Sequence, residues 1–142
     1  EDVVPVCSPQ LIEKHFPDAK KINPHCYDLD SEQIIQLPLL QQTTRLNIWQ
    51  EWCEKHQIEH PKPFEGQCHE LFSMLAVAAT HSMGMALIPQ MLIKKELASS
   101  ELVIATNKTL TGVRSYYLVH SSQENSMLIE KFVDWIQLEL KK

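Results

Sequence analysis

Residues 64–103, FEGQCHELFSMLAVAATHSMGMALIPQMLIKKELASSELV, carry the pattern that decides the fold. Phe64 to Cys68 suits a short strand, and Leu71 to Ala79, rich in Ala, Leu and Met, suits a helix. Gly84 follows closely, and Met85 to Ile88 is an apolar run ended by Pro89, the pattern of a strand buried on both faces of a parallel sheet. Gln90 to Leu97 then reads as helix and Leu102 to Ala105 as strand. Strands separated by helices have the crossovers that a mainly parallel sheet needs, so an α/β fold is expected.

The alternation continues on both sides of this stretch. Upstream, Val3, Val4 and Val6 form a β-branched cluster that stops at Ser8-Pro9, where Ser8 can cap a helix carrying Leu11, Ile12 and Phe16 on its apolar side. Pro17, Pro24 and Pro38 punctuate an irregular connector with a short helix near Ser31 to Ile35. Leu39 and Leu40 make a buried strand, and Thr43 or Thr44 opens a helix whose Trp49, Trp52, Cys53 and His56 share one face. Downstream, Arg114 to His120 has strand composition. Ser121 with Glu124 forms a capping box for a last helix with Leu128, Phe132, Trp135 or Ile136, and Leu140 on one side.

Composition excludes several classes. At 44% hydrophobic residues, the chain can build one core, and it carries no low-complexity tract. The net charge of −5, without a Lys/Arg cluster beyond short pairs, gives phosphate neutralisation little to work with, so these residues are not expected to touch DNA. No apolar run approaches the roughly 18 to 20 residues of a membrane span. The four cysteines, irregularly spaced, read as free thiols in a reducing cytoplasm. With three glycines and no nucleophile elbow, phosphate loop or dinucleotide fingerprint, an enzyme is not expected and no cofactor is implied.

Three stretches, in order and spacing, resemble the effector-binding domain of LysR-type transcription regulators. VVPVCSPQL at 3–11 is similar to the strand and Ser-Pro helix start that opens that domain's second lobe. LLQQTTRLNIWQEW at 39–52 resembles the subgroup related to glycine-cleavage and β-lactamase regulators. The quoted segment from Phe64 to Val103 follows the family's succession of strand, Ala-rich helix, Gly-x-Ala-Leu-x-Pro strand and Glu-Leu-Ala-Ser turn, with Ser82 standing where a glycine is common. The resemblance implies a two-lobed, periplasmic-binding-protein-like sensor. Residues 1–112 would be its second lobe and 113–142 the crossover strand and closing helix of the first. It also implies a small, anionic effector, a dimer or tetramer, and DNA contact only through an N-terminal winged helix-turn-helix outside these residues. The last helix would then present an apolar stripe to be buried either by self-association or by folding back onto the second lobe.

Candidate effector contacts are Thr43, Thr44, Arg45, Phe72, Ser73, Tyr116 and Tyr117. A strand end feeding a helix start gathers hydroxyls, free N–H groups and a positive dipole end, which suits a carboxylate; one threonine could equally be only the cap. Arg45 pairs with an anionic effector or lies on the surface. Phe72 and Ser73 occupy the same kind of strand-to-helix junction, where open α/β sheets bind ligands, unless they are core and cap. Alternation along a strand would send one of Tyr116 and Tyr117 to the core and the other to the cleft. Two other readings compete: a fragment of an exported solute-binding protein, and a zinc-stabilised domain using Cys53, His56, His60, Cys68 and His69, whose spacing matches no zinc motif.

Overall fold

The computed structural model describes residues 1–120 and 127–140. The valine cluster forms β1 (Asp2–Cys7), and Ser8 ends it by accepting the Leu11 N–H on its hydroxyl at 3.2 Å, with Pro9 opening α1 (Pro9–His15). The proline-rich connector holds a hairpin of β2 (Lys21–Asn23) and β3 (Cys26–Tyr27), then α2 (Ser31–Gln36), started by a reciprocal capping box between Asp30 and Gln33. Next come β4 (Leu39–Gln42), α3 (Ile48–Lys55), β5 (Gln67–His69), α4 (Phe72–Thr80) and β6 (Met85–Pro89). The chain finishes with α5 (Lys94–Ala98), β7 (Val103–Ile104), β8 (Leu110–Thr111) and α6 (Met127–Glu139).

The strands lie in the order β2-β3-β7-β1-β6-β4-β5, with β8 also pairing with β1. β4 runs parallel to β5 and β6, and β3 runs parallel to β7, while β1 passes antiparallel to β6, β7 and β8. Side chains alternating along β1 reach both faces. Val3 joins a core with α1, α2 and the Trp49–Trp52 face of α3, whereas Val4 and Val6 join a second core with Leu75 and Ala79 of α4 and Leu97 of α5. A sheet covered by helices on both faces follows directly from these two clusters.

Several local expectations need correction. The helix expected to open at Thr43 or Thr44 begins at Ile48, because Thr43–Arg45 make a single 3₁₀ turn first and neither threonine side chain supplies a capping bond. The strand expected over 64–68 pairs only from Gln67, since Gly66 sits at φ +132° and bends the chain just before the ladder. Gln90 to Leu97 is split into a 3₁₀ turn and α5 by Ile93, at φ −124° and ψ 24°, whose side chain turns into the core. Arg114 to His120 is not a strand: no described strand runs beside it, and isolated extended backbone is not held by a ladder. The Ser121–Glu124 cap lies outside the described residues. α6 contributes no residue to either core, and Ile129, Val133 and Ile136 are its least exposed side chains.

Candidate functional site

Register determines what meets at the top of the sheet. Gln42 lies opposite His69, and Val3 lies opposite Pro89, so the C-terminal ends of the parallel strands β4, β5 and β6 share an edge with the start of β1. Thr43–Arg45, Phe72 and Glu1 are therefore carried to one place from three parts of the chain.

Arg45 is the centre of that cluster. Its Nη1 and Nη2 donate to Glu1 Oε2 and Oε1 at 2.8 and 3.1 Å, and the two side chains are only 9% and 1% exposed. The guanidinium lies 4.8 Å from the Phe72 ring centroid, and the Tyr116 hydroxyl donates to Glu1 Oε1 at 2.6 Å. Arg45 holds the Glu1 carboxyl below the ordinary carboxylate range, and Glu1 in turn raises the Tyr116 phenol. The backbone reinforces the cluster: Glu1 donates its amino N–H to the Arg114 carbonyl at 2.8 Å and accepts the Gly112 N–H at 3.0 Å.

Beside the cluster lies a cavity of about 450 Å³, lined by Thr43, Thr44, Arg45, Asn47 and Arg114 among others. Both threonines are exposed, and neither caps a helix: the 3₁₀ turn has Gln42 at its N-cap and α3 has Asn47, each without a side-chain capping bond. The first N–H groups of α3 are thus free of side-chain caps at the cavity wall, next to two hydroxyls. Gln42, just below, is buried and donates to the Glu70 carbonyl at 3.5 Å, while its Oε1 has no partner among the described residues.

The other expected contacts divide. Phe72 is half-buried against Arg45 and also borders a depression of about 370 Å³ between α4 and α5, with Ser73. Ser73 is exposed, does not cap α4, whose N-cap is Leu71, and opens towards grooves beside that helix rather than onto the Thr43 cavity. Tyr116 and Tyr117 do not alternate between core and cleft. Both rings are exposed, at 69% and 84%, because no strand fixes their faces, and only Tyr116 touches the cluster, through its hydroxyl. Sequence reasoning missed Glu1, Gln42 and Arg114. Glu1 is 44 residues from Arg45, and no local pattern signals such a pairing.

Of the zinc candidates, Cys53, His56 and His60 are engaged elsewhere, while Cys68 is exposed and His69 Nε2 is buried without a partner among the described residues. Cys53 is buried under the Trp stripe, which pushes its thiol up to about 11; Cys7, deeper still, is pushed up to about 12. His56 is hydrogen-bonded through Nε2 to the Thr109 carbonyl at 3.0 Å, and His60 Nδ1 accepts the Lys62 N–H at 3.0 Å. Among the described residues, no three His, Cys, Asp or Glu side chains are placed to hold a metal ion.

Residues 1–141 match the sequence profile of the LysR substrate binding domain. The chain belongs to the LysR substrate-binding domain family. Similar curated proteins from Escherichia coli include the HTH-type transcriptional regulator DsdC, 26% identical over 99% of this chain and 44% of that protein. The glycine cleavage system transcriptional activator is 28% identical over 96% of this chain and 41% of its own length. The chain thus spans less than half the length of these regulators. The effector domain of the transcriptional regulator AmpR of Pseudomonas aeruginosa shares the fold. Its TM-score is 0.72 at 19% identity, over 94% of this chain and 59% of that one. The regulatory domain of AphB in Vibrio vulnificus, with a TM-score of 0.61 at 16% identity, covers 97% of this chain and 64% of that one. These likenesses set the LysR effector-domain fold, and within it the Thr43 edge is the end of a parallel strand run. No described helix is long and apolar enough to cross a membrane.

Proposed function

We propose that this LysR-family chain is the effector-sensing part of a cytoplasmic transcription regulator. It binds a small anionic molecule at the Thr43–Thr44 edge and relays its presence to a DNA-binding domain in the parent polypeptide. The chain acts as a binding module without a catalytic step. Residues 1–112 serve as the second lobe, and 113–142 as the segment that crosses to the first lobe and closes it. The parent assembles as a dimer or tetramer, and the effector shifts the balance between subunit arrangements by binding one of them more tightly.

One observation carries this reading: the cavity of about 450 Å³ at the C-terminal end of β4, where two exposed hydroxyls and the start of α3 converge with Arg114. Open α/β sheets bind ligands at this edge. A carboxylate there accepts hydrogen bonds from Thr43, Thr44 and backbone N–H groups, while Phe72 and the Tyr116 hydroxyl hold Arg45 and Glu1 in the adjoining wall. Ser73 and Tyr117 do not line this cavity, so the effector is bound without them.

A thermal-shift screen of small carboxylates, followed by calorimetry on the hits, tests the site. Each hydrogen bond to a charged group contributes about 1.5 to 3 kcal/mol, so a Thr43→Ala, Thr44→Ala double variant should weaken binding at least about tenfold while keeping its fold. Unchanged affinity removes the effector from this edge.

A further inference from the structure

Arg45 faces the cavity, yet its charge is already taken. Both of its terminal nitrogens are bonded to the Glu1 carboxylate, and the Phe72 ring lies against the guanidinium. Glu1 is itself fixed at both ends of its backbone by Arg114 and Gly112, and its side chain by Tyr116. An intramolecular carboxylate held this way competes with any dissolved carboxylate at a high effective concentration. A second acidic group on a ligand would therefore find no free cation at Arg45, and it would approach the negative charge of Glu1.

We propose that Glu1 is a specificity-determining residue of this effector site: by occupying Arg45 it confines the cavity to ligands with a single acidic group and rejects dicarboxylates. The inference rests on reading the Thr43–Thr44 cavity as the effector site. The single acidic group is then served by the two hydroxyls, the start of α3 and Arg114, whose side chain is exposed on the same wall. Rejection of the second group follows from a charge already spent: Glu1 and Arg45 neutralise one another, so this wall offers a second carboxylate no cation to pair with.

Succinate and butyrate, equal in carbon number and differing by one carboxylate, serve as probes. Calorimetry at fixed ionic strength gives the ratio of their dissociation constants on the wild-type chain and on Glu1→Gln, which keeps the shape of the side chain and its acceptor for Tyr116 but frees the Arg45 charge. The expected result is a shift of that ratio by at least tenfold in favour of succinate, returned to the wild-type ratio by adding Arg45→Gln. A ratio on Glu1→Gln within threefold of wild type, or no heat from either probe on both proteins, overturns the proposal. Should Glu1→Gln lose its native circular dichroism, the ratio is read on Arg45→Gln, where Glu1 stands uncompensated. There succinate should be disfavoured by a further tenfold, and an unchanged ratio overturns the proposal. If Thr43→Ala, Thr44→Ala leaves butyrate binding untouched while Glu1→Gln still shifts the ratio, the effector reading fails and the proposal with it, and Glu1 is left only as the partner that controls the Arg45 charge. If the threonine variant weakens butyrate and the ratio does not move, only the role of Glu1 fails.

Discussion

Glu1 and Arg45 form a nearly buried ion pair at a sheet edge, and its contribution to stability has a definite sign with pH. Arg45 lowers the folded-state pKa of the Glu1 carboxyl, so the pair stabilises the fold above the ordinary carboxylate range and is lost as pH falls through the lower folded value. The melting temperature of the wild-type chain should therefore exceed that of Glu1→Gln at pH 7, where the substitution leaves Arg45 charged and unpaired. The gap should narrow on acidification below about pH 4, the region where glutamate carboxyls protonate. A gap that stays constant between pH 7 and pH 3 would mean the pair is not a source of stability. This residue-level device was invisible in the sequence. Arg45 stood out as a cation next to a strand end, but its partner lies at the other end of a different strand, and only register joins them.

At the scale of elements, the parallel neighbours β4 and β5 depend on one close approach. Gly66 sits at φ +132°, and a Cβ there would lie 1.9 Å from the Leu39 carbonyl oxygen, a backbone atom that cannot swing away. Gly66→Ala thus combines a disfavoured backbone with a clash and should cost more than about 2 kcal/mol, measured as a lower urea midpoint with an unchanged slope. An unaltered midpoint would show that β5 shifts freely against β4. Elements with a strong period were legible in advance: β6 from its unbroken apolar run, α3 from the Trp49–Trp52 face, α1 from Ser8-Pro9. What escaped were features set by partners rather than by composition. The β2–β3 hairpin hides among prolines and polar residues, and 114–120 has β-branched and aromatic content but no described strand beside it to make it one. Of the candidate contacts, Thr43 and Thr44, expected at a strand end, line a cavity because they follow the buried strand β4. Ser73, expected at a strand-to-helix junction, borders other grooves, and Tyr117, expected from strand alternation, is exposed on a segment that pairs with no described strand.

Across the whole molecule, the two cores draw on β1, β3, β4, β6, β7, β8 and α1–α5, and α6 stands outside both. Phe132 and Trp135 lie together, 5.8 Å between ring centroids, yet are 51% and 55% exposed, with Leu138 beside them at 62%. Each ring leaves on the order of 100 Å² of apolar surface in water, half of what a buried aromatic removes. Two copies pairing through these rings alone would cover about 400 Å², worth about 10 kcal/mol gross, which falls within the estimated 4 to 15 kcal/mol cost of association. The balance favours reversible self-association rather than a tight dimer. Sedimentation velocity should show a sedimentation coefficient that rises with concentration across tens to hundreds of micromolar. Phe132→Glu with Trp135→Glu, which puts like charges where the rings would meet, should give a monomer throughout while the near-ultraviolet signal of Trp49 and Trp52 stays native. A wild-type chain that remains monomeric over that range would show that α6 tolerates its apolar face in water, and the stripe would then have no role in assembly.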